Sequence, residues 1–457
     1  MGHPSDNIIT DAIVIGSGFA GAILARKLAK QGRSVIVIES RERLGGRTNT
    51  IRLGDHDIDA GCSFIHGYSD SHPLATLSKE LAVDVQIAGP KESTDVGSVI
   101  IGKRGPLDTG LQKQIQDALG KAVDTAKASN ENRPLADVID ASLNETLQGE
   151  TLAIAKEYVG SLDAPLGLPV NEITDVSRFG WEKGLDGVDA VVTRGYSHLM
   201  SRIWEDALAT DKVRIYYDHR VVSLSTKDKV KSIISTHRGQ FEAKVVVCTV
   251  PLATLQNPKT AIEFHPELSK EKQEAIKSTP VGLLEKLIYT YDDYWWRSSY
   301  KTGGFAILPT KKSFTSAKEI LESHVLNVQT FPNHPSLLIF LPAGAIRLLK
   351  CYSRQEVEEA GAEVLAERLG GVKARKAYST SWLKEQDTNG ATSTYASPEH
   401  LKALQQATDD DRLAFAGEHT EIDNHGSVNG AVLSGLREAE RVERYLQKRA
   451  SEPWTGH

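Results

Sequence analysis

Residues 9–40 read ITDAIVIGSGFAGAILARKLAKQGRSVIVIES and set Gly16, Gly18 and Gly21 between an apolar run and a helix-like stretch. Hydrophobic spacing predicts a strand over 10–16, a helix over 20–31 ending at Gly32, and a strand over 34–39. In a GxGxxG turn the first glycine permits the tight bend and the second lets backbone approach a pyrophosphate. The third lets helix and strand pack closely. Free N–H groups at the helix start, around Phe19 and Ala20, would face that anion. Glu39 ends the second strand, where a carboxylate accepts from ribose hydroxyls, with Ser40 and Arg41 beside it. A glycine-rich turn alone fits any α/β protein. Strand, helix, second strand and closing acid together point to a dinucleotide.

Further strand signals lie in KVRIYY, VVSLS, VKSIIST, KVVVCTVP and RLAFAGEHT, so both ends and the middle of the chain supply one α/β domain. Residues 108–160 are the most helix-like, and GAVLSGLREAERVERYLQKRA reads as a terminal helix. At 457 residues two domains with interleaved segments are expected. Sixty acidic against 54 basic residues, a net charge of −6, argue against nucleic-acid binding and favour a cationic ligand. Three scattered cysteines without a CxxC fit neither a disulfide framework nor a metal site, and no metal is expected. With no apolar run long enough to span a bilayer and no leader pattern, a soluble cytoplasmic protein is expected, with no membrane partner.

ESRERLGGRTNT puts Gly45, Gly46 and Arg47 shortly after Glu39, and IDAGCSFIHG follows at 58–67. On these residues the chain resembles the flavin-containing amine oxidase superfamily, with motifs similar to its polyamine-oxidase-like members. The resemblance returns in VVVCTVPLATL (245–255), RVVSLS, GLLEKLIYTYDDYWW, STSWLKE and FAGEHTEIDNHGSVNGAVLSGLREAERV (415–442). It implies a Rossmann-type FAD-binding domain built from 8–84, 201–280 and 406–450. The substrate domain would be α+β, with a helical insertion in 85–200 and a mixed sheet in 281–405. It also implies that Gly61, Cys62 and Ser63 lie beside the isoalloxazine ring, Val222 at the adenine, Trp382 against the flavin, Gly417 and Glu418 near the ribityl–phosphate, and Ser427 and Val428 near the pyrimidine. As residues 415–442 contain no cysteine, noncovalent FAD is expected.

The resemblance makes Lys286, in LLEKLIY, the lysine that meets flavin N5 through a water and assists reoxidation by O₂. Read alone, it would be an outward lysine on an edge strand. A lysine in a dry cavity has a lowered pKa and places positive charge where peroxide develops. The implied reaction passes a hydride from the amine α-carbon to N5. The imine then hydrolyses, and O₂ accepts the electrons as H₂O₂. His66 matches a histidine at the cavity mouth, an isolated residue that can equally be structural. The family's aromatic cage falls on Thr394 and Ser427, neither aromatic, with Tyr395 adjacent to the first. That departure suits a longer or more polar amine: a polyamine, or a bulky primary amine. The alternatives are an L-amino-acid oxidase, which needs an arginine that GCSFIHGYS does not offer, a desaturase-type flavoenzyme, and a flavin-binding protein without turnover. Histone demethylases share GEHT and LSGLREA but carry appended modules.

Overall fold

The structure, a computed structural model, describes residues 9–88, 98–180, 183–300, 302–408 and 410–451. The opening stretch forms the strand Thr10–Ile15, the helix Phe19–Lys30 and the strand Val35–Ile38. Thr10–Ile15 is central, parallel to Val35–Ile38 on one side and to Gly239–Cys248 on the other. Ala12, Ile13 and Val14 are fully buried, as the uninterrupted apolar run of a parallel strand covered on both faces requires. The sheet continues through Val213–Tyr216 beyond Val35–Ile38. On the far side lie Ser232–Thr236, Val221–Ser225 and Glu263–His265. Gly239–Cys248 is long enough to pair antiparallel with Ser232–Thr236 along its first half and parallel with Leu413–Phe415 along its second. Segments distant in sequence thus share one sheet.

Helices Phe19–Lys30, Tyr196–Leu208 and Val428–Ser451 cover one face, joined in a core that includes Ala22, Leu28, Ile203 and Val442. The terminal helix approaches the first so closely that a Cβ at Gly435 would lie 2.6 Å from the Ala20 carbonyl oxygen.

A second sheet runs in the order Lys376–Ser379, Glu285–Thr290, Ser336–Leu341, Leu326–Thr330, Gly304–Ile307, Val99–Gly102, Gly105–Pro106. Glu285–Thr290 is paired on both edges and buried throughout, so Lys286 does not sit on an edge strand. Helix Arg354–Leu369, started by a Ser353–Glu356 capping box, backs this sheet. Helices Thr109–Lys127, Leu135–Thr146 and Gly149–Tyr158 pack into a core of their own with Ile100 and Ala306 of the sheet. Among the described residues no helix is long and apolar enough to cross a membrane.

Candidate active site

A cavity of about 730 Å³ runs from the glycine turn to the second sheet. At its first end the turn is fixed by sterics. Gly16 has φ +103°, and a Cβ there would meet Thr249 Oγ1 at 2.7 Å. A Cβ at Gly21 would strike the Gly16 carbonyl oxygen at 2.2 Å, which makes it a packing glycine outside the cavity lining. Gly18 differs. Its φ is −70°, and nothing lies closer to an added Cβ than the Gly45 carbonyl oxygen at 3.9 Å. It lines the cavity and is the N-cap of Phe19–Lys30, with no side chain capping that helix and no acid in its first turn. The helix-start N–H groups are therefore left for an anion. This is a cradle that a side chain would fill, and a dinucleotide fits it. Gly18→Ala is expected to leave thermal unfolding close to unchanged while weakening dinucleotide binding by about tenfold or more, measured by flavin titration of the apoprotein.

Glu39 is buried and accepts from Ser17 N (3.0 Å), Ser17 Oγ (2.5 Å) and Arg41 N (3.0 Å). Arg41 reaches Glu385 at 2.8 Å and, with Arg220, also pairs with Asp387, the Arg220 contact being 2.6 Å. The 385–387 segment is thereby tied over the turn's acid end. Glu418 is the second buried carboxylate. It takes Arg47 Nη1 at 2.8 Å, Ser393 Oγ at 2.5 Å and Gly426 N at 2.9 Å. Burial opposes its ionisation, but Arg47, His419 and the hydrogen bonds hold the carboxyl down at about 2.

Lys286 lines the far end. Its Nζ donates to Asp59 O (2.9 Å), Gly61 O (2.5 Å) and Ser63 Oγ (2.5 Å), and lies 5.5 Å from the centre of the Phe340 ring. Burial lowers its pKa to about 8, with the Asp59 carboxylate pulling the other way. Asp59 is itself raised to about 6 by burial, though Thr50 Oγ1 and Tyr196 N donate to it.

The other expected residues divide clearly. Phe19, Ala20, Ser40, Gly45, Gly46, Gly61, Cys62, Ser63, His66, Trp382, Gly417, Ser427 and Val428 all line this cavity. His66 is exposed at the mouth, its Nδ1 2.9 Å from Asp189. Val222 does not belong: it is 45% exposed, and Val221 is buried against the cavity instead. Side chains alternate along a strand, so assigning the valine one position late points it away from the cavity. Thr394 and Tyr395 are corrected too. Neither lines the cavity; Thr392 does. Thr394 Oγ1 donates to Leu166 O at 2.6 Å, and Tyr395 OH donates to Asp175 O and accepts from Asp175 N. These two residues tie the 392–395 segment to residues 166–175, next to the helical insertion.

Several site residues were not singled out: Ser17 and Arg220, which sit inside quoted motifs, and Asp387, Phe340, Thr392, Asn327 and Gln329. Only the last pair left a sequence signal, polar residues at alternate positions in the apolar strand LNVQT. Among the described residues no group of histidine, cysteine or acidic side chains is placed to hold a metal ion.

The family described as flavin containing amine oxidoreductase matches residues 19–443. Probable polyamine oxidase 4 of Arabidopsis thaliana is 25% identical, over 97% of this chain and 89% of its own length. Polyamine oxidase 3 of Oryza sativa subsp. japonica is 27% identical over 96% and 90%. Lysine-specific histone demethylase 1 homolog 1 of Arabidopsis thaliana is 26% identical over 96% of this chain and 53% of its own length. A match that begins inside the glycine turn and ends within the terminal helix takes in both walls of the cavity, and by it the chain belongs to the flavin-containing amine oxidoreductases.

Proposed function

We propose that the chain is an FAD-dependent amine oxidase that holds its cofactor without a covalent bond and passes electrons to O₂. One observation carries the reading: a single cavity joins the uncapped helix start at Gly18 to the buried amine of Lys286. Gly16 to Ala20 would hold the pyrophosphate, Glu39 the ribose, and Gly45, Gly46 and Arg47 the adjoining phosphate. Residues 61–63, Trp382, Glu418, Ser427 and Val428 would surround the flavin. Bound FAD supplies an acceptor for the hydride on the carbon beside the amine nitrogen. Amine, O₂ and water then yield a carbonyl compound, ammonia or a shorter amine, and H₂O₂.

The protein's own part is orientation and exclusion of water. Phe64 and Phe340 make that end of the cavity apolar. Lys286 keeps a proton and a positive charge there, fixed by three oxygens that also define where Gly61 and Ser63 lie. His66, beside Asp189 at the mouth, would meet an incoming amine. Cys62 is the cysteine facing the cavity, and burial pushes its thiol up to about 12, which opposes thiolate attack on a cofactor. The arginines lining the cavity, Arg41, Arg47 and Arg220, are ion-paired at the cofactor end. That favours a substrate without a carboxylate over an amino acid. The substrate class is a polyamine, the class that the names of the plant relatives carry, or a bulky primary amine.

The reading is tested by mixing the flavin-loaded protein with amines without oxygen. Bleaching of the yellow colour by an amine is expected, and a loaded protein that no amine bleaches would overturn it. Acid precipitation should release the colour into the supernatant; colour left on the pellet excludes noncovalent binding.

A further inference from the structure

The strand Leu326–Thr330 alternates: Leu326 and Val328 enter the core behind the sheet, while Asn327 and Gln329 are half-buried among the cavity-lining residues. Its register is informative. Lys286 stands opposite Phe340, and Phe340 opposite Asn327, so the three form one row across three strands. Neighbouring strands are ~4.8 Å apart, which puts the Asn327 backbone about 10 Å from that of Lys286.

Both amides are anchored through one N–H. Asn327 Nδ2 donates to Ser161 O at 2.7 Å, and Gln329 Nε2 donates to Gly303 O at 2.9 Å. The anchored nitrogen turns each amide so that its oxygen, an uncharged acceptor, and a second N–H are what it offers a ligand, a pair that suits a hydroxyl, which both donates and accepts. Gln329 Oε1 and Ser98 Oγ converge over Gly304, where an added Cβ would meet them at 3.5 and 3.4 Å. Tyr158 and Ser161 add neutral polar groups from the helical insertion. The carboxylates among the described lining residues are Glu39, Asp387 and Glu418, all at the cofactor end and already engaged.

We propose that the substrate amine carries an uncharged hydrogen-bond donor, a hydroxyl, on the order of 10 Å along its chain from the reacting end, and not a second ammonium. This rests on the amine-oxidase reading and narrows it. A hydroxyl placed against amide oxygens exchanges its water for equivalent partners at little cost. A second ammonium there would be desolvated without a counter-charge, on the same sheet face as the Lys286 cation. The row is therefore built for an extended amino alcohol or amino polyol and discriminates against polycations.

The test compares octylamine, its ω-hydroxyl analogue and its ω-amino analogue on the flavin-loaded protein, by anaerobic bleaching and by spectral titration. The ω-hydroxyl amine is expected to bind roughly three- to tenfold more tightly than each of the other two. Asn327→Leu and Gln329→Leu should each reduce its preference over octylamine, and Asn327→Asp should shift preference toward the diamine by roughly tenfold. Equal binding of all three, or a native preference for the diamine, overturns the inference while bleaching still upholds the oxidase reading. Failure of every amine to bleach the flavin overturns that reading and the inference with it.

Discussion

Lys286→Met is expected to slow the return of yellow colour on mixing with O₂ by at least ~100-fold, the scale on which removal of one preorganised donor acts. Bleaching by amine should change far less. The asymmetry follows from what the side chain can offer. Nζ is buried and held by Asp59 O, Gly61 O and Ser63 Oγ, so its position is set before any reaction. On the proposed reading it would provide a fixed charge where electrons pass to O₂, and nothing that a departing hydride needs. Its pKa gives a second signature. Burial lowers it to about 8, so the ammonium is lost as pH rises through that value. Colour return in the native protein should fall above pH about 8, and the methionine variant should show no such step. A stability measurement separates charge from shape. Between about 8 and the ordinary 10.5 the unfolded chain binds a proton that the folded one does not, so native stability rises with pH across that window. The variant should lose the Lys286 share of that rise and keep the share of Lys272, which burial lowers to about 7. Unchanged colour return in stopped flow would remove Lys286 from the oxygen reaction.

What could be read from the residues alone follows how local the constraint is. The glycine turn, its helix and Glu39 were legible because each glycine answers a steric demand set within a few residues, as the predicted clashes at Gly16 and Gly21 show. Lys286 was legible through its surrounding motif, although its central place in the sheet depends on pairing with two distant strands. The errors share one cause. Val222, Thr394 and Tyr395 lie on short or irregular extended segments, where a shift of one or two positions turns the side chain away from the cavity. Tyr395 even has φ +45°, a kink no residue pattern announced. Asp387 and Arg220 meet only through tertiary structure, across a long stretch of chain. The alternation at Asn327 and Gln329 was visible but mute, because which face of that strand is wet depends on where the helical insertion lands.

Glu418→Gln should have the second large effect, and on the protein before any turnover. The carboxylate gathers Arg47, Ser393 and the Gly426 amide, three segments that converge on one wall of the cavity. Burial alone would raise its pKa, yet these donors bring it to about 2 from the ordinary 4.5. A depressed carboxyl contributes stability that is complete above the unfolded value and is lost as pH falls toward the folded one. The difference corresponds to an upper limit on the order of 3 kcal/mol at neutral pH. Glutamine keeps the shape but leaves the Arg47 guanidinium, 26% exposed, without its counter-ion, a costly state for a partly buried cation. Urea unfolding at neutral pH should therefore show a clear loss of stability in the variant. The gap should narrow as pH falls from about 4.5 and close only near pH about 2, where the native carboxyl takes up its proton and loses its advantage. Flavin retention is expected to fall in parallel, since Arg47, which lines the cavity and bonds Ala391 O as well as Glu418, loses the partner that fixes it there. A variant that unfolds like the native protein at neutral pH and keeps its colour on dialysis would show that the carboxylate is a bystander to both.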